Sequence, residues 1–121
     1  MAKKDNFSQD YITTEGIPEI TSRQVFAAKD NTNLIDVRTQ EEWSGELGII
    51  AGSELVSLGP DLESYIDSLD KEDEYVIVCR SGRRSASVVY YMQEKGFTKA
   101  YNLQGGMIAW NEEGLETASK P

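Results

Sequence analysis

From about residue 17 onward, short apolar runs alternate with stretches whose apolar residues recur at helical spacing. That alternation predicts an α/β fold: a central, mainly parallel sheet flanked by helices. Ile20 is the first residue expected to be ordered, and Thr21 has the side chain to cap a helix over about 22–29. Val25 and Phe26 would form the buried side of that helix. Asp30, Asn31, Thr32 and Asn33 make a turn into Leu34-Ile35-Asp36-Val37, which reads as a buried strand. Thr39 can cap a short helix through Glu41, Glu42 and Trp43, and Leu55-Val56 suggests another short strand. Gly59-Pro60-Asp61 starts a helix in which Leu62, Tyr65, Ile66 and Leu69 keep the period.

Tyr75-Val76-Ile77-Val78 is the strongest strand signal, β-branched and continuous as central parallel strands are. Cys79 falls at its C-terminal end. A helix over about 84–95 follows, with Val88, Val89 and Met92 inward and Gly96 as its stop. Ala100-Tyr101-Asn102-Leu103 is the last strand, Gly105-Gly106 a tight turn, and Met107 to about Glu113 the last helix. Residues 1–16 are polar and lack a period. They are expected to form a mobile arm, which Phe7, Tyr11 and Ile12 could tack to the body. The domain itself is expected over 17–117, with 118–121 as a short tail. The acidic run Lys71-Glu72-Asp73-Glu74 reads as a solvated turn.

Charge narrows the choice of partners. The net charge of −9 repels phosphate backbones and anionic lipid, so neither nucleic acid nor membrane is expected as a partner. No stretch approaches the ~18 continuous apolar residues of a membrane span, and the charged N-terminus leads into no apolar segment of the kind a secretory signal has. A single cysteine excludes a disulfide within the chain and fits a reducing cytoplasm. With no histidine, no metal site and no cofactor are expected, and any catalysis must proceed without imidazole.

The chemistry concentrates at Cys79-Arg80-Ser81-Gly82-Arg83-Arg84-Ser85, where three of the chain's five arginines stand beside its only thiol. A loop entering a helix can aim its N–H groups at one centre, and the positive end of the helix adds to the field. With the arginines, these effects lower a thiol's pKa and favour the nucleophilic thiolate. Gly82 lets the loop curl, and Ser81 and Ser85 offer hydroxyl donors. A buried structural cysteine beside solvated arginines is the plain alternative, but it leaves this concentration of cations unexplained. Open α/β sheets bind ligands at this same edge.

This loop resembles the active-site loop of rhodanese domains. Leu34-Ile35-Asp36-Val37-Arg38, followed by Glu41-Glu42-Trp43, resembles the family's first signature. Asn102-Leu103-Gln104-Gly105-Gly106-Met107-Ile108-Ala109-Trp110 resembles its C-terminal one. The matches run in order from about Ile20 to Gly114. They depart at Gly48-Ile49-Ile50-Ala51-Gly52-Ser53, where many members have a histidine at the place of Ile49 and a proline at that of Ala51. The resemblance implies a sulfurtransferase in which Cys79 carries sulfur as a persulfide. The donor would be thiosulfate or another persulfide donor, a small anionic sulfur compound, and the acceptor cyanide, a thiol or a protein thiol.

Related cysteine phosphatases place Arg after Cys and five intervening residues. Here that position is Ser85, and Arg84 falls one place early, so a ring closed by Arg84 is smaller than a phosphoryl group needs. Arg80 and Arg83 are expected to face outward and draw in an anion. Asp36 and Arg38 would support the site, more as an ion pair than by touching substrate. Trp43 and Trp110 read as packing residues, and Gly105-Gly106 as a place where backbones approach closely. Two other functions compete: a binding module without turnover, and a cysteine phosphatase or arsenate reductase.

Overall fold

The structure, a computed structural model, describes residues 5–121. In chain order it contains strand β1 (Ile12–Thr14), strand β2 (Ile17–Ile20), helix α1 (Ser22–Ala28), a 3-10 turn (Lys29–Asn31) and strand β3 (Asn33–Asp36). Helix α2 (Gln40–Trp43), strand β4 (Glu54–Leu55), helix α3 (Pro60–Asp67) and strand β5 (Tyr75–Val78) follow. Helix α4 (Arg83–Glu94), strand β6 (Ala100–Leu103) and helix α5 (Gly106–Glu112) complete the chain. The six strands lie in the order β1-β2-β6-β5-β3-β4. Every pairing is parallel except that of β1 with β2, so the α/β class read from the sequence holds.

Strand β5 lies at the centre, and its four residues are all buried. Its alternation divides the core. Tyr75 and Ile77, continued by Cys79, face Leu62, Ile66, Val88, Val89 and Met92 of α3 and α4. Val76 and Val78 face Val25, Met107 and Trp110 of α1 and α5. Burial on both faces is what makes this strand a continuous apolar run. Thr21 and Thr39 cap α1 and α2 as expected, each in a reciprocal capping box, with Gln24 and Glu42 respectively. Phe26, expected to be buried, is exposed, although its ring edge meets Trp110.

The N-terminal region departs from expectation. Where no regular structure was expected before Ile20, β1 and β2 form a hairpin. Its loop residues Glu15 and Gly16 both have positive φ, 51° and 85°, as a type I′ turn requires. All three residues of β1 are exposed, so no apolar alternation announced it. Phe7 is buried, and Tyr11 packs on Tyr101 with ring centroids 5.4 Å apart. The first four residues of the expected arm lie outside the described ones. At the other end, Ala118 pairs its backbone with Ile49, the residue in the histidine's place, through bonds of 2.8 and 3.0 Å.

Glu74 corrects the reading of the acidic run as a solvated turn, because it is only 1% exposed. Its carboxylate accepts the backbone N–H of Asn6 at 2.8 Å and of Phe7 at 2.9 Å. Burial pushes its pKa up, and those two donors pull it back. Replacing Glu74 with Ala strands both N–H groups and should lower unfolding stability by ~1–3 kcal/mol. Glu74→Gln, which keeps an acceptor oxygen, should lose less. Urea denaturation of the two variants measures the difference, and equal losses would show that the contact with the N-terminal segment contributes nothing.

Candidate active site

Cys79 follows the last residue of β5, and its side chain is 1% exposed. The backbone beyond it is held from one side by α5. Met107 N–H donates to the Cys79 carbonyl at 2.9 Å, and Ile108 N–H to the Arg80 carbonyl at 3.0 Å. In a trans peptide C=O and N–H point in opposite directions. With those carbonyls turned toward α5, the N–H of Ser81 turns the other way, toward sulfur.

The loop then closes around Sγ. Gly82, in the left-handed region at φ 97°, brings its N–H to 3.1 Å from the sulfur. From the first turn of α4, Ser85 donates its N–H at 3.4 Å and places its hydroxyl oxygen 3.2 Å away. Burial pushes the Cys79 thiol's pKa up. The Ser85 hydroxyl and the N–H groups of Ser85, Gly82 and Ser81 outweigh that effect, so the pKa ends below the ordinary thiol value. The start of the twelve-residue α4 adds its partial positive charge. The site therefore favours a thiolate.

Gly106 permits the approach of α5. A Cβ at that position would lie 2.5 Å from the carbonyl oxygens of both Cys79 and Arg80. Its φ of 59° also disfavours any other residue. The close approach expected at Gly105-Gly106 is thus a backbone contact against the thiol loop itself.

The arginines separate into two kinds. Arg80 and Arg83 are exposed, as expected. Arg84 does not close the ring: its guanidinium reaches across to Glu42 in a bidentate pair, 2.7 and 2.8 Å. The ring is closed by Ser85 instead. Glu42 can take Arg84 because the capping box at Thr39 fixes the carboxylate at the rim. Hydrogen bonding from Arg84, more than any other cause, holds the Glu42 carboxyl down to about 2.

Asp36 and Arg38 form a buried ion pair, with Arg38 Nη2 at 2.8 Å and Nε at 3.0 Å from the carboxylate. Arg38 also donates to the Gly48 carbonyl at 2.7 Å, bracing the segment after α2. These side-chain bonds brace the segments around β3, and none reaches the sulfur. Sequence reasoning missed Asn102 and Glu19. Asn102 lies in β6 beside Ile77 of β5 and Glu19 of β2, and it is in contact with Ser85. A polar residue inside the apolar run of β6 was the signal available.

A cysteine at the end of the central strand of a mostly parallel sheet, ringed by donors from the next loop, defines a class of α/β domains built around a strand-end thiol. The chain belongs to the rhodanese-like domain family, whose profile matches residues 22–113. The Bacillus subtilis protein named "Putative sulfurtransferase YtwF" is 41% identical over 91 residues, spanning 75% of this chain and 84% of that one. A protein of Allochromatium vinosum named "Sulfurtransferase" is 32% identical over 92 residues, 76% of this chain and 83% of that one. Among solved structures, a rhodanese-like domain protein from Staphylococcus aureus superposes with a TM-score of 0.69 at 36% identity, covering 84% of this chain and 98% of that chain.

Two outcomes follow from the geometry. Gly106→Ala should destabilise the protein by about 1–3 kcal/mol through overpacking alone and slow alkylation of Cys79, since the loop carbonyls must move. Unchanged stability and unchanged alkylation would contradict the contact. For Glu42 the folded pKa is depressed, so its pairing stabilises above the ordinary glutamate value of 4.5 and is lost as pH falls toward about 2. Glu42→Gln should flatten that part of the stability curve, in thermal melts across this range, by a modest amount because the pair is partly solvated.

Proposed function

We propose that this chain is a sulfurtransferase that carries sulfane sulfur as a persulfide on Cys79. The observation that carries this reading is the convergence of the Gly82 and Ser85 N–H groups on a buried Sγ, at 3.1 and 3.4 Å. The ring closes at Ser85, the position at which the related phosphatases have Arg. N–H groups and a hydroxyl rather than a guanidinium therefore face the sulfur, which suits a single sulfur and its charge. The sulfurtransferase names of the relatives support the same class of chemistry.

In the first step the Cys79 thiolate attacks the outer sulfur of thiosulfate. The Sγ–S bond forms as the S–S bond of thiosulfate breaks, and sulfite leaves with the electron pair of that bond. The negative charge of the thiolate now resides on the terminal sulfur of the persulfide, within reach of the loop's N–H groups. In the second step cyanide or a thiolate attacks that sulfur, and the Sγ–S pair returns to Cys79 as thiolate. Neither step needs a proton donor, which suits a chain without histidine. Arg80 and Arg83 draw the donor dianion toward the site against a net charge of −9, over a range that physiological salt limits to ~8 Å. Such a thiol works in a reducing compartment such as the cytoplasm. No helix among the described residues is long and apolar enough to cross a membrane.

Intact mass after thiosulfate treatment tests the reading. One added sulfur atom is expected, removable by cyanide, together with release of sulfite. Cys79→Ser should keep its fold by circular dichroism and lose both the added mass and thiosulfate:cyanide activity. Activity in that folded variant would overturn the assignment of Cys79 as carrier, and a wild-type protein that takes up no sulfur would favour a binding module.

A further inference from the structure

Ser85 and Asn102 are both buried, at 0% and 1% exposure, and so is Cys79. The Ser85 hydroxyl lies 3.2 Å from Cys79 Sγ and also within hydrogen-bond distance of Asn102 Oδ1. The orientation of the Asn102 amide is fixed by its other partners. Its Nδ2 donates to the Glu19 carboxylate at 2.9 Å and to the Gly82 carbonyl at 3.0 Å. Both partners can only accept, so the amide cannot be reversed and Oδ1 must face Ser85. Oδ1 also can only accept. Ser85 is therefore the donor in that contact, and its hydroxyl has one proton to give.

Two acceptors thus share one proton. When Cys79 is a thiol, its S–H can donate to Ser85 Oγ while the Ser85 proton sits on Oδ1, and every group is paired. When Cys79 is a thiolate, the Ser85 proton is drawn to Sγ, and Oδ1 is left buried without a donor. We propose that Asn102 is a positioning residue that holds the Ser85 hydroxyl against Cys79 and takes its proton whenever Sγ is uncharged, so that the hydroxyl turns between Oδ1 and Sγ as charge on the sulfur comes and goes. Asn102 then favours the uncharged sulfur and offsets part of what the loop's N–H groups give the thiolate. Too stable a thiolate is a weak nucleophile, so this restraint keeps Cys79 reactive. If sulfur is carried as proposed above, the persulfide moves the charge to the terminal atom, and the proton returns to Asn102.

The charged groups around the site are Glu19 on β2, Asp36 and Arg38 by β3, Glu42 on α2, Arg80 in the loop, and Arg83 and Arg84 on α4. Substituting Asn102 or Ser85 with Ala leaves all of them in place. The rate of Cys79 alkylation by iodoacetamide, followed against pH in the full chain, reads the thiolate fraction without any sulfur transfer. Asn102→Ala should raise that rate about threefold to tenfold at pH below the thiol's midpoint, the scale of one hydrogen bond. In a Ser85→Ala background the same substitution should change nothing. A slower rate, or the same change in both backgrounds, would show that Asn102 only props the loop and would overturn the proposal.

Nuclear magnetic resonance of the wild-type protein covers the case of a variant that does not fold. The Asn102 side-chain amide signals should shift with the Cys79 titration, and signals that stay put would equally overturn the idea. Loading with thiosulfate should return them toward their thiol-state positions. A protein that takes up no sulfur overturns the persulfide reading, while the thiol titration still tests the role of Asn102 independently.

Discussion

The peptide unit between Arg80 and Ser81 points two ways at once, and the site depends on it. Its carbonyl is taken by Ile108 N–H at the start of α5, as the Cys79 carbonyl before it is taken by Met107. Its N–H is thereby turned inward to the sulfur, followed by those of Gly82 and Ser85. Thiolate stabilisation here is thus a property of two helices rather than of one loop. The first turn of α4 supplies the Ser85 donors, the loop before it those of Ser81 and Gly82, and α5 fixes the direction in which that backbone faces. The sheet makes this possible by setting β6, which leads into α5, directly beside β5, which ends at Cys79.

Legibility in the sequence followed burial. Strand β5 was plain because both of its faces are covered, and α4 because Val88, Val89 and Met92 keep the helical period against it. Cys79 stood out through its neighbours rather than through itself. What could not be read is whatever depends on a partner far along the chain. Glu74 looks like any acidic turn residue until an N-terminal segment 67 and 68 positions away lays its N–H groups on it. Arg84 looks like the residue that closes the ring until Glu42, 42 positions earlier, draws its guanidinium aside. Local pattern reports which residues are inside, whereas the direction of a polar side chain is decided by tertiary packing.

The distribution of positive charge has the same origin. Four arginines lie in or near the site, but two are already committed: Arg38 to Asp36 inside the protein, and Arg84 to Glu42 at the rim. Arg80 and Arg83 are the two that remain exposed. The committed pair members act as cross-links instead. Arg38 ties the end of β3 to the segment after α2, and Arg84 ties α2 to α4, so the walls on either side of the loop are held at a fixed spacing. The exposed arginines and the bracing ones are thus different residues of one type.

Gly106 also bears on when the site comes into being. Synthesis runs from the N-terminus, so Cys79 and its arginines leave the ribosome well before the helix whose N–H groups orient them. Until Gly106, Met107 and Ile108 have emerged and docked, the carbonyls of Cys79 and Arg80 have no partners from α5. The surroundings that lower the Cys79 pKa are therefore complete only once α5 has closed on the loop.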